Sequence, residues 1–167
     1  PYFPETEELV EYHFDFAPVP ENNIRVYHIS DAHNDVARPV KAAAAFGDID
    51  LLILNGDVID HSGDPEKFSN IYEICAAITN GRIPVVFSRG NHDMRGKYAE
   101  RFADYTPSQY NNTYYTFRVG SIWGILLDCG EDKTDNHPEY GFTIACHTFR
   151  EGQTDFLKKL IENAKRE

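Results

Sequence analysis

Through the first half of the chain, short apolar runs alternate with stretches of helical spacing. Ile24 to Ile29 is a β-branched run closed by Ser30-Asp31-Ala32-His33. Leu51-Leu52-Ile53-Leu54 is continuously apolar, as expected of a strand covered on both faces, and Asn55-Gly56-Asp57-Val58-Ile59-Asp60 follows it. Ile83 to Phe87 is the third such run, closed by Ser88-Arg89-Gly90-Asn91-His92-Asp93. Between them lie alanine-rich Pro39 to Phe46 and the segment Glu66 to Thr79, with Phe68, Ile71, Ile74, Cys75 and Ile78 at helical spacing. Gly47 and Asn80-Gly81 supply the stops. Strand–helix–strand–helix–strand in this order predicts an α/β fold with parallel pairing.

The flanks read differently. Val10, Tyr12, Phe14 and Phe16 alternate with other residues, which predicts one half-buried strand, and Ala17-Pro18-Val19-Pro20 reads as a connector. Residues 1–23 are thus an N-terminal strand and connector, and 24–167 form the domain. A helix is expected from Gly96 to Ala103. Thr113 to Val119 and Ile122 to Asp128 predict a hairpin turned at Gly120-Ser121. Glu131 to Tyr140 is a polar loop, and Glu151 to Lys165 predicts a final amphipathic helix carrying Phe156, Leu157, Leu160 and Ile161.

Composition narrows the class. With 167 residues, 41% of them hydrophobic, the chain suits one globular domain with a sizeable core. The net charge of −11 argues against a general nucleic-acid or anionic-membrane binder, and Tyr110, Tyr114, Tyr115 and Phe117 read as sheet packing rather than a base-stacking platform. No apolar run reaches transmembrane length and no signal peptide is present. Cys75, Cys129 and Cys146 show no metal-type spacing and cannot all pair within one chain, which favours a reducing, cytoplasmic-type compartment. The start at Pro1 points to a trimmed N-terminus, which leaves localisation open.

The chemistry lies at the strand ends. Three successive strands finish in Asp31-x-His33, Gly56-Asp57-x-x-Asp60 and Gly90-Asn91-His92-Asp93. In an open α/β sheet the carboxyl ends of the strands are where ligands sit. Carboxylate, imidazole and amide oxygen make a mixed hard and borderline donor set, suited to Mn²⁺, Fe or Zn²⁺ rather than an all-oxygen calcium cage. A carboxylate between two cations can bridge them, and two cations can clamp both oxygens of a displacement.

These three motifs resemble those that open the calcineurin-like metallophosphoesterase superfamily, D-x-H, G-D-x-x-D and G-N-H-D/E, and the resemblance runs from about Ile24 to the C-terminus. It implies a four-layer α/β/β/α sandwich with two divalent or trivalent metal ions (Mn, Fe or Zn) at the strand ends. Asp31 and His33 would bind the first, Asp57 would bridge, and Asn91 would bind the second. His92 would stand beside the site unligated, with Asp60 orienting it as a dyad, as the acid at that position does in phosphoprotein phosphatases. The implied reaction is hydrolysis of a phosphate mono- or diester by a bridging hydroxide, with His92 protonating the leaving alkoxide or stabilising the transition state.

Two departures accompany the resemblance. The family completes its metal shell with a later histidine and a G-H-x-H motif, which this sequence does not contain; His147 precedes the expected final helix, where the family's histidine follows it. The expectation is a domain that continues past Glu167, with this chain weakly active or inactive alone. Purple acid phosphatases place a tyrosine ligand where this chain has Asp60, so no tyrosinate colour is expected. Arg89 is a candidate contact for a phosphate oxygen, set against an ordinary salt-bridged arginine. His61 is a candidate for the mouth of the site, set against a solvated loop histidine. His13, His28 and His137 read as structural or exposed. The competing function is a non-catalytic scaffold that keeps the fold for protein binding, as a retromer subunit of this superfamily does. The presence of His92 beside Asp60 argues for catalysis.

Overall fold

The computed structural model describes residues 9, 11–108, 112–138, 142 and 146–164. Its centre is a parallel three-stranded sheet in the order β1 (Val26–Ile29), β2 (Leu51–Asn55), β3 (Val85–Ser88). The crossovers carry α1 (Ala37–Phe46) and α2 (Phe68–Thr79). The register places Leu52 beside Val85, Ile53 beside Val86 and Leu54 beside Phe87. Alternation along these strands divides the core. Leu52, Leu54 and Phe87 face the helices with Phe68, Ile71 and Ile74, while Leu51 and Val86 face the other way. That is why β2 is apolar from Leu51 to Leu54: both of its faces are covered there.

The second face is covered by an antiparallel pair, β4 (Tyr115–Val119) and β5 (Ile122–Leu126). Tyr115 and Leu126 pack on Leu51 and Val86. The Tyr115 hydroxyl accepts from the Phe87 amide at 3.3 Å and donates to the Phe87 carbonyl at 2.8 Å, pinning the hairpin to β3. α3 (Cys146–Ala164) docks at the end of β5, where the buried Gln153 amide donates to the Asp128 carbonyl and accepts from the Asp128 amide.

Local chemistry sets the element ends. The Asp64 carboxylate accepts from the Glu66 amide at 3.0 Å, and Pro65 begins the short 3₁₀ turn that leads into α2. Asn80, at φ 49°, ends α2 in the left-handed conformation, its N–H donating to the Ala76 carbonyl. Phe68 stacks on Tyr105 at 4.4 Å and meets Phe102 edge-on at 5.1 Å, and Phe102 in turn stacks on Phe87. This aromatic cluster seats α2 beneath the end of β3.

Three expectations need correction. The predicted N-terminal strand does not form. Val10 lies outside the described residues, while Tyr12, Phe14 and Phe16 are 66–76% exposed on irregular backbone. The segment touches the domain through single bonds, Ala17 N–H to the Arg82 carbonyl and Arg82 Nε to the Asp15 carbonyl, and a strand without a ladder partner has nowhere to place its amides. The helix expected over Gly96 to Ala103 is a 3₁₀ helix over Ala99–Asp104. The Tyr98 amide donates to the Ser62 carbonyl, so it is committed to a neighbouring loop instead of a helical turn. The final helix begins at Cys146 rather than Glu151, so His147 lies inside it. Gly152 weakens the helical signal by about 1 kcal/mol relative to alanine, and the anchored Gln153 beside it offsets that cost. The three cysteines are free thiols, and among the described residues no helix is long and apolar enough to cross a membrane.

Candidate metal centre

The three strand ends meet at one edge of the sheet, and backbone bonds stitch them together. The Asp31, His33 and Asn34 amides donate in turn to the Gly56, Asp57 and Val58 carbonyls at 3.0–3.1 Å. Gly56, at φ 79°, lies so close to Gly90 that a Cβ there would sit 2.7 Å from the Gly90 Cα. The glycines of the second and third motifs are therefore required by the close approach of the β2 and β3 ends. Of the seven non-glycine residues with positive φ among the described residues, four are here: Asp31, His33, Asn34 and Asp57. Left-handed backbone of this kind costs about 1–2 kcal/mol per residue and clusters at functional sites.

His33, Asp57 and His92 each offer a ligand atom within 4.8 Å of the other two, one from each strand end. The His33 and His92 rings meet edge to face with centroids 4.6 Å apart. Asp57 is 9% exposed, and one of its oxygens accepts from the His92 amide at 2.9 Å. Asp31 is more open, with a carboxylate oxygen 3.8 Å from His33 Nε2. Asn91 points its amide nitrogen at Glu131, 3.3 Å away.

Asp93, the last residue of the third motif, does structural work beneath the cluster. It is fully buried, and one carboxylate oxygen accepts from both the Asp57 and Gly90 amides, at 2.9 and 2.8 Å. The other oxygen has no hydrogen-bond partner. Burial pushes its pKa up to about 6, against the pull of those amides.

His92 is held on both ring nitrogens. Nδ1 lies 3.0 Å from the main-chain carbonyl of Asp60, an acceptor only, so Nδ1 carries the proton. Nε2 lies 3.1 Å from Arg95 Nη1, a donor only, so Nε2 presents its lone pair. Arg95 is itself fixed by a two-pronged ion pair with the buried Glu131, at 3.0 and 2.9 Å. The Asp60 carboxylate does not reach His92 as the dyad expectation held. It lies 3.2 Å from His33 Nδ1 and accepts from the Asn34 amide.

The two substrate-contact candidates are engaged by other partners. Arg89 is a buried ion-pair arginine: its Nε donates to Asp128 at 2.7 Å, its Nη1 to the Ala99 carbonyl, and the two side chains are 9% and 0% exposed. His61 is exposed and accepts from the Gly63 amide two residues on, closing a local turn. His147 is engaged by Asp135 through its amide and by Glu151 through its ring. Arg95, Glu131, Asn34 and Asp93 are site residues that motif reading does not assign. Arg95 lies one turn past His92, a weak local signal, whereas Glu131 lies 36 residues from Arg95 and offers none.

The sequence model of calcineurin-like phosphoesterases matches residues 24–167, from just before β1 to the end of the chain. The chain belongs to the calcineurin-like phosphoesterase family. A comparison with curated proteins found no match. Family membership accords with the mixed α/β architecture and its parallel sheet, and with a histidine–aspartate cluster at the strand ends of the kind that holds a metal ion.

Proposed function

We propose that this calcineurin-like phosphoesterase is a metal-dependent hydrolase of phosphate mono- or diesters, working at the ends of β1, β2 and β3. The observation that carries the reading is that the three strand ends bring His33 and Asp57, the candidate ligands, and His92, the candidate acid, within 4.8 Å of one another. The donors suit the metals: imidazole with carboxylate favours Mn²⁺, Fe or Zn²⁺ over calcium. Asp31 and His33 would hold one cation and Asn91 a second, with Asp57 shared between them. The family fold would place the whole in a four-layer sandwich, of which α1 and α2, the parallel sheet and the β4–β5 pair supply three layers.

Bound cations would activate a water and neutralise charge developing on the phosphoryl oxygens. The chain's own contribution is proton placement. With Nδ1–H of His92 committed to the Asp60 carbonyl, Nε2, which Arg95 faces, is the nitrogen that would first take up a proton to give the imidazolium and then pass it to a leaving alkoxide. A leaving-group oxygen would take the place of Arg95 at that nitrogen. Arg95, anchored on Glu131, would remain beside it as a cation facing the anionic phosphoryl group.

Hydrolysis of p-nitrophenyl phosphate and bis-p-nitrophenyl phosphate with added Mn²⁺, before and after EDTA, tests the proposal. Asp31, His33, Asp57 and Asn91 are too few to fill two shells, so a low turnover abolished by EDTA is expected. Turnover indifferent to EDTA would overturn the reading. No turnover from protein shown by elemental analysis to hold two metals would favour a scaffold.

A further inference from the structure

Asn34 belongs to none of the three motifs, yet both ends of its amide are engaged. Nδ2 donates to the Asp60 carboxylate. Oδ1 accepts from the Asp60 amide at 3.3 Å and from Asn70 Nδ2, in the first turn of α2, at 3.2 Å. A carboxylate cannot donate and a main-chain N–H cannot accept, so the amide has one orientation that satisfies every partner. The backbone is equally committed, at φ 66° with its N–H on the Val58 carbonyl. Asparagine tolerates this left-handed conformation better than most residues.

The Asp60 carboxylate is thereby fixed. One oxygen takes the Asn34 amide, and the other lies 3.2 Å from His33 Nδ1. A carboxylate 3.2 Å from Nδ1 favours the proton on that nitrogen and leaves the lone pair on Nε2, the nitrogen turned toward Asp31, 3.8 Å away. A carboxylate behind a metal-binding histidine is a recurrent device for setting its tautomer and ring angle. Here the device extends one step further, through Asn34 to the helix that crosses from β2 to β3.

We propose that Asn34 is a positioning residue for His33, acting through the Asp60 carboxylate and anchored by Asn70. The proposal rests on the reading of His33 as a metal ligand. It differs from the family's expected pairing of Asp60 with His92, because it gives the Asp60 side chain to the ligand and leaves only the main-chain carbonyl to His92.

Asn34→Gly is the informative variant, since glycine keeps the positive φ and removes only the amide. Mn²⁺ affinity measured by isothermal titration on the wild type, Asn34→Gly, Asp60→Asn and Asn70→Ala is one readout. The ¹⁵N shifts of the His33 ring in metal-free protein are the other. Asn34→Gly and Asp60→Asn are expected to weaken Mn²⁺ binding by about 10–100-fold. Both should also shift the His33 ring away from the Nδ1–H tautomer, and Asn70→Ala should produce a smaller change in the same direction. An Asn34→Gly protein with wild-type affinity, or with an unchanged His33 tautomer, would overturn the proposal. If the wild type takes up no Mn²⁺, the metal-centre reading fails by itself, and the ring shifts still decide whether Asn34 and Asp60 set the His33 tautomer.

Discussion

His92 Nδ1 lies 3.0 Å from the main-chain carbonyl of Asp60, while the Asp60 side chain turns to His33. A single residue thus orients both histidines of the cluster, one with its backbone and one with its carboxylate. Substitution at Asp60 therefore reaches His33 first. The contact that sets the His92 tautomer survives any side-chain change.

As a proton donor rather than a ligand, His92 has a distinct signature on removal. In metal-loaded enzyme, His92→Ala is expected to lower turnover by about 10²–10⁴-fold, the usual contribution of general acid catalysis, with metal content unchanged by elemental analysis. His92 also lies within ligand distance of His33 and Asp57, so loss of metal in the variant would make it a ligand and contradict the assigned role.

Arg89 and Asp128 form an ion pair whose side chains are 9% and 0% exposed. Removing one partner of such a pair leaves an uncompensated buried charge and costs about 3–5 kcal/mol. Arg89→Ala should therefore lower the midpoint of urea unfolding sharply. A variant of wild-type stability with a raised KM would instead make Arg89 a substrate contact.

Asp93 gives the metal-free protein a pH dependence of definite sign. Burial raises its pKa from 3.8 to about 6, so the folded state favours the protonated acid. Its contribution is fully present below the ordinary carboxylate range and is lost as pH rises through about 6, a change of about 3 kcal/mol at about 1.4 kcal/mol per unit. Titration of the Asp93 carboxyl followed by ¹³C NMR should show a midpoint near 6. A midpoint near 4 would mean that the two amides on its oxygen outweigh burial.

The parts of the site legible in the sequence are those written in consecutive residues. Asp31-x-His33, Gly56-Asp57 and Gly90-Asn91-His92 each sit at the end of an apolar run, and the alternation of run and helix implies that the runs are parallel neighbours. The parts that were not legible depend on distant partners. Asn34 finds Asp60 across 26 residues and Asn70 across 36, and Arg95 finds Glu131 across 36. No local spacing encodes such pairs. The alternation of Tyr12, Phe14 and Phe16 misled for a related reason: period-two patterning marks a strand only where another strand stands beside it, and among the described residues none does.

In the proposed centre Asp57 is the one ligand common to both cations, held in place by the Asp93 carboxylate on its amide and the His92 amide on its own oxygen. Mn²⁺ titration calorimetry on the wild type, Asp57→Asn, Asp31→Asn and Asn91→Ala tests this most directly. The account predicts that Asp57→Asn removes binding at both positions, whereas Asp31→Asn and Asn91→Ala each weaken one and leave the other. Equal losses in all three variants, or retained binding in Asp57→Asn, would contradict it.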